Sequence, residues 1–220
     1  FNGLTVLKNL NLKIFPGSIN GLLGENGSGK TTLFNLILGM LRLDNGEIFA
    51  KNHTNISTMP IHDRCKRFKI AYVPQRTSLM LGMTTQDNLI GIAELLIKDK
   101  QKINEICDRL LTEFSLTDVA NVRADDLSGG QKKKLSIARS LIGDPDIILF
   151  DEIFAALSPK VIESLKKLIV NIQAYRRSLT ILLSDHIWQH VTELSDLVHI
   201  LAHGEIIRSL KPADIVKDSL

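Results

Sequence analysis

Apolar positions along the chain fall into short blocks whose period changes repeatedly, and each change marks an expected element. Residues 4 to 15 alternate loosely (Leu4, Val6, Leu7, Leu10, Leu12, Ile14), which predicts one or two strands. After the turn signal "IFPGS", the run "INGLLG" predicts a short buried strand, and a helical period follows from Thr31 to Met40. "LDNGEIFA" predicts a hairpin, since Asp44, Asn45 and Gly46 tolerate positive φ. "KIAYVPQ" predicts a strand stopped by Pro74. From about 86 to 114 the period turns helical, with Leu89, Ile92, Ile103, Ile106, Leu110, Leu111 and Phe114 on one stripe. A further helix opens at "LSGGQ", with Leu135, Ala138 and Leu141 on its apolar face. Then come strand "DIILFDE", helix 159 to 174, strand "LTILLSD", helix 186 to 194, and "LVHILAHGEII". Strands alternating with helices predict an α/β fold with a parallel sheet. A helix-rich insertion in the middle divides the chain into 1–75, 76–140 and 141–220.

Composition narrows the class. At 220 residues and 44% hydrophobic content, the chain reads as globular, and its apolar runs are far too short to span a bilayer. The start "FNGLTVLKNL" has no basic-then-apolar leader, and beginning at Phe it reads as a portion of a longer product. Cys65 and Cys107 have no metal-ligand spacing, which suits a reducing compartment. Without a secretory leader, "NGS", "NHT" and "NIS" are discounted as glycosylation acceptors. A net charge of +3 gives no basic field that would imply a nucleic-acid partner, and "QKKK" reads as a solvated helix face. The histidines at 53, 62, 190, 199 and 203 form no paired ligand spacing.

Two stretches carry chemistry on their own terms. "GENGSGKT" (Gly24, Glu25, Asn26, Gly27, Ser28, Gly29, Lys30, Thr31) is a phosphate loop: its glycines let successive N–H groups turn towards phosphate oxygens. Lys30 reaches the β/γ-phosphates, Thr31 can ligate Mg²⁺, and Thr32 continues into the helix. "IILFDE" ends an apolar strand in two carboxylates. Beside a phosphate loop, Asp151 would hold Mg²⁺ and Glu152 would orient or deprotonate the attacking water. A guanine reader of the form "NKxD" is absent, which argues against a GTPase.

A second phosphate grip, "LSGGQ" at 127 to 131, decides the family resemblance. With the phosphate loop, Gln75, the carboxylates at 151 and 152, and His186 in that order, the chain resembles the nucleotide-binding subunit of ATP-binding cassette (ABC) transporters over nearly its whole length. The resemblance implies a P-loop NTPase (RecA-like) core with a small antiparallel β subdomain and an inserted α-helical subdomain. It implies ATP and Mg²⁺ as ligands and ATP hydrolysis as the reaction. Ser128, Gly129, Gly130 and Gln131 would cap the γ-phosphate held by a second cassette in a head-to-tail homodimer. Gln75 would contact Mg²⁺ and the water, His186 would sense the γ-phosphate, and Phe1 would stack on adenine. The segment "TSLMLGMTTQDNL" would expose Leu79, Met80, Leu81 and Met83 for docking by integral membrane permease subunits, placing the chain peripherally on the cytoplasmic face of the membrane. "TMPIHDRCKRFKIAYVPQ", "QDNL" and "LLSDHIW" are loosely similar to the lipopolysaccharide-export and branched-chain amino-acid ATPases.

The chain departs from the family pattern in "DEIFAALSP". Ile153 stands where Pro is usual, and Ser158 replaces an Asp that lies at the dimer interface and communicates between the two ATP sites. Two alternatives stand beside transport: a weakly active regulatory cassette, which these departures motivate, and a non-transport ABC ATPase acting on ribosomes or DNA.

Overall fold

A computed structural model describes residues 5–215. In chain order its elements are β1 (Ile19–Leu23), α1 (Lys30–Leu38), β2 (Phe49–Ala50), β3 (Thr54–Asn55), α2 (Ile61–Phe68), β4 (Ile70–Val73), α3 (Thr85–Leu96), α4 (Lys100–Glu113) and α5 (Gly129–Ser140). They continue with β5 (Ile147–Asp151), α6 (Pro159–Tyr175), β6 (Thr180–Asp185), α7 (Trp188–Thr192), β7 (Leu197–Ala202), β8 (Glu205–Leu210) and α8 (Pro212–Ile215).

Six strands form one sheet in the order β4-β5-β6-β1-β7-β8, parallel throughout except for the β7–β8 pair. Alternate side chains feed two cores, as a period of two requires. Val73, Ile148, Phe150, Ile181 and Leu183 pack towards α3 to α6, whereas Ile70, Leu149, Leu182 and Leu22 pack with α1 and α2. Because both faces are covered, the central strands read as continuous apolar runs rather than as alternating ones.

Parallel register then sets the site. Val73 pairs with Phe150, Asp151 with Ser184, and Leu23 with Asp185. The residues just beyond these strand ends are Gln75, Glu152, Gly24 and His186. Open parallel sheets bind ligands at this carboxyl edge.

Several sequence expectations are corrected here. Residues 5 to 15 form no strand. Lys8 N–H donates to Gly204 O at 3.0 Å, while Leu7, Leu10, Leu12 and Ile14 lie on the second core, so their alternation reflects one-sided burial rather than a ladder. The hairpin turn is not at 44–46. β2 and β3 are antiparallel and joined through Lys51–His53, where Asn52 and His53 take φ of 58° and 54°. The single helical run over 86–114 is two helices, because the Asp99 carboxylate accepts from the Gln101 and Lys102 N–H groups and caps a fresh start. Leu79 is not exposed. It is buried in the first core, Met80 is half-buried, and only Leu81 and Met83 of that set stand in solvent. α2 was not anticipated from the sequence at all.

Candidate active site

The phosphate loop links the end of β1 to α1. Gly29 sits at the N-cap of α1 with φ 107°, a conformation that disfavours a Cβ, and an added Cβ would meet Leu7 Cδ2 at 2.6 Å. Gly29→Ala is therefore expected to weaken ATP binding by about tenfold or more, read as a Kd by nucleotide titration. Lys30 is buried. Its ammonium donates to Gly24 O at 2.7 Å and Glu25 O at 3.0 Å, and pairs with Glu152 Oε1 at 3.2 Å. Ser28 Oγ is a buried polar atom without a hydrogen-bond partner in the same loop. A phosphate oxygen suits it, because an unsatisfied buried hydroxyl is costly.

Asp151, buried at the end of β5, accepts three hydroxyl donors. Thr31 Oγ1 lies 2.8 Å and the Tyr72 hydroxyl 3.1 Å from Oδ2, and Ser184 Oγ lies 2.6 Å from Oδ1. Burial pushes the Tyr72 phenol well above its ordinary value and the Asp151 charge adds to this, so Tyr72 stays a donor. The hard oxygens of Thr31 and Asp151 fit Mg²⁺. Among the described residues no group of three or more His, Cys, Asp or Glu could hold a metal ion.

Glu152 follows with φ 44°, a left-handed conformation uncommon outside glycine and typical of strained functional positions. Its N–H donates to Ser184 O at 3.1 Å, which holds that turn against β6. The carboxylate is held between Lys30 and Gln75, whose Nε2 donates to Oε2 at 2.8 Å, and His186 Nδ1 stands 4.0 Å from Oε2. His186 is aimed by a local device. Asp185 Oδ1 accepts the N–H groups of His186 and Ile187 at 2.7 and 3.0 Å, which delays α7 until Trp188 rather than the expected 186. His190 Nδ1 lies 3.4 Å from Asp185 Oδ2, so this histidine supports the turn and is not an idle surface residue.

The "LSGGQ" stretch stands apart from these groups. Ser128 caps α5 in a capping box: its Oγ accepts from Gln131 N–H, and Gln131 Oε1 accepts from Ser128 N–H. Ser128 and Gly129 are exposed, and among the described residues no hydrogen bond or ion pair joins 127–131 to the loop at 24–32. Phe1 lies outside the described residues. Tyr72, Ser184 and Asp185 were missed by sequence reasoning. A polar side chain at the carboxyl end of a buried strand is the signal that would have found Ser184 and Asp185.

Residues 7–155 match the ABC transporter family profile. The chain belongs to the ABC transporter family. This cassette is 34% identical to the lipopolysaccharide export system ATP-binding protein LptB of Haemophilus influenzae, covering 97% of this chain and 87% of that one. Identity to the LptB of Escherichia coli K12 is 32%, covering 99% and 89%. Among solved structures it resembles a dimeric post-hydrolysis state of the cassette MJ0796 bound to ADP and Pi (TM-score 0.82, 26% identity, 94% and 90% covered). It also resembles cbiO1 of Clostridium perfringens, part of the transporter complex cbiONQ (0.87, 26%, 97% and 85%). The cassette is an ATP-binding, ATP-hydrolysing subunit of the ABC transporter type. No helix among its described residues is long and apolar enough to cross a membrane.

Proposed function

We propose that this cassette closes head to tail on a second copy around two ATP molecules and so energises membrane subunits docked on it at the cytoplasmic face. The observation that carries this reading is the separation of the two phosphate grips: exposed Ser128 makes no bond to its own chain's loop. Ser128 adjoins a second exposed element. A Cβ added at Gly129 would touch Leu157 and one at Gly130 would clash with Val161, so the signature lies against the N-terminal end of α6 and the residues that lead into it. That surface offers its α5 N-terminus to a partner's nucleotide.

Within each site Lys30 and the loop N–H groups would hold the phosphates, and Thr31 and Asp151 would hold Mg²⁺, which when bound would supply neutralising charge. Glu152 takes the proton of the attacking water while Gln75 and His186 fix that water's position. Docking is assigned to Leu81 and Met83, with half-buried Met80 behind them and Leu79 anchoring the segment from the core. The relatives named for lipopolysaccharide export make the permeases of such systems the first partners to test. Affinity purification of the tagged protein from detergent-solubilised membranes, followed by mass spectrometry, should recover a polytopic membrane protein. Recovery of ribosomes or DNA-bound proteins alone would overturn the transport reading.

Ser158 occupies the N-cap of α6 without a side-chain capping bond and is exposed. A carboxylate here would meet the positive end of α6 and restore the charge the family carries at the interface. Ser158→Asp is expected to change the turnover rate or its cooperativity in ATP. Unchanged steady-state kinetics on both counts would show that the charge plays no part.

A further inference from the structure

The segment after Gln75 lies against the helix that Ser128 caps, and the contacts recur at helical spacing. Lys133 Nζ donates to Gln75 O at 3.1 Å, Ser136 Oγ lies 3.5 Å from Thr77 Oγ1, and Arg139 Nη1 donates to Ser78 O at 2.8 Å. Positions 133, 136 and 139 are successive i, i+3 neighbours, so one face of α5 holds 75–78 along its length. Lys133 is buried; burial pulls its pKa down and the Asp151 carboxylate opposes that fall. A long cationic side chain at an interior position costs desolvation unless it is well bonded. Sequence reasoning took "QKKK" as a solvated face, yet the middle lysine of the three is interior.

The contacts form a continuous path. Ser128 stands at the N-cap of α5, Lys133 on that helix holds the Gln75 carbonyl, and the Gln75 side chain holds Glu152 Oε2 at 2.8 Å. We infer that Lys133 is a positioning residue that ties the signature helix to the Gln75–Glu152 pair, so that a partner's nucleotide gripped at Ser128 sets the alignment of this chain's own water-activating carboxylate. This rests on the head-to-tail reading above. It adds to that reading the residue through which the two ATP sites of the dimer communicate. A shift of α5 as a unit would carry Lys133 with it, and the bond from Lys133 Nζ would pass that shift to the Gln75 carbonyl. Such couplings through packed, hydrogen-bonded elements alter function without touching the ligand.

The test compares Lys133→Met, which keeps length and removes the donor, with Lys133→Arg, which keeps a cationic donor. For Lys133→Met, kcat is expected to fall about tenfold with KM for ATP nearly unchanged, and the Hill coefficient in ATP should drop from about 2 towards 1. Lys133→Arg should restore most of both. ATP-induced dimerisation, followed by gel filtration in a Glu152→Gln background, should survive Lys133→Met. If Lys133→Met leaves kcat and the Hill coefficient at wild-type values, the inference is wrong. It is equally overturned if both variants lose activity in step with their melting temperatures, since Lys133 would then only support the fold. If the Glu152→Gln protein stays monomeric in ATP, the head-to-tail reading fails and the inference falls with it.

Discussion

Glu152→Gln is expected to lower ATP turnover by about 10²–10⁴-fold while ATP binding is retained. The substitution removes one charge and almost no volume. Gln75 Nε2, now 2.8 Å from Oε2, keeps an acceptor in the new amide oxygen. Lys30 loses its partner at 3.2 Å but keeps the carbonyls of Gly24 and Glu25 at 2.7 and 3.0 Å, so the ammonium stays inside the loop. What disappears is the group able to accept a proton. Phosphate release should therefore collapse, and ATP should accumulate in a closed dimer visible by gel filtration. Turnover within a few-fold of wild type would falsify the role given to Glu152 and move the search for a base to His186.

The second large effect is on stability. Arg64, 1% exposed on α2, donates to four backbone carbonyls: Nε to Met59 at 2.7 Å, Nη1 to Leu36 at 2.6 Å and Ile37 at 2.9 Å, and Nη2 to Ser57 at 2.8 Å. The Leu36 and Ile37 carbonyls belong to the last turn of α1, where acceptors outnumber helical donors; Leu36 O also accepts Gly39 N–H at 3.2 Å. Gly39 closes that turn with φ 80°, and a Cβ there would come within 2.9 Å of Arg64 Nε, so both residues are needed for one junction. Hydrogen bonds from a charged donor contribute about 1.5–3 kcal/mol each, and orphaned buried carbonyls add to the loss. Arg64→Ala should therefore destabilise the protein by about 3 kcal/mol or more, measured as a shift in urea midpoint at unchanged slope. Arg64→Lys should recover little, because a single ammonium cannot span the fork. A loss below about 1 kcal/mol would show that water replaces the guanidinium and that the junction is not built on it. Since α1 begins at Lys30, loosening its far end should also weaken the phosphate loop.

Much of the site was legible in the chain because its parts are local. The turn of "GENGSGKT" into a helix, the capping box of "LSGGQ", and the paired carboxylates after an apolar strand each lie within one or two turns of backbone. Short-range sterics and hydrogen bonds decide geometry over that distance. The alternation of strands and helices likewise pointed to the parallel sheet, since parallel strands need crossover connections and the intervening helices supply them. Ile153, by contrast, was noted as a departure from the family and proves fully buried in the first core, where an apolar residue packs and no further consequence is visible.

Tertiary structure alone decided which distant groups meet. Thr31 reaches Asp151 across 120 positions, Ser184 approaches it from the neighbouring strand, and Tyr72 arrives from β4. Those meetings depend on the register of β4, β5 and β6, which no local pattern encodes. Burial was decided the same way: Leu79 and the "QKKK" lysines read as surface positions in sequence and Arg64 drew no expectation, yet Leu79, Arg64 and Lys133 are interior because of what packs over them. A residue's own chemistry is written in the chain. Its solvent and its partners are set by segments folded over it from elsewhere, and burial decides whether a cation such as Lys133 is idle in water or bonded to the Gln75 carbonyl.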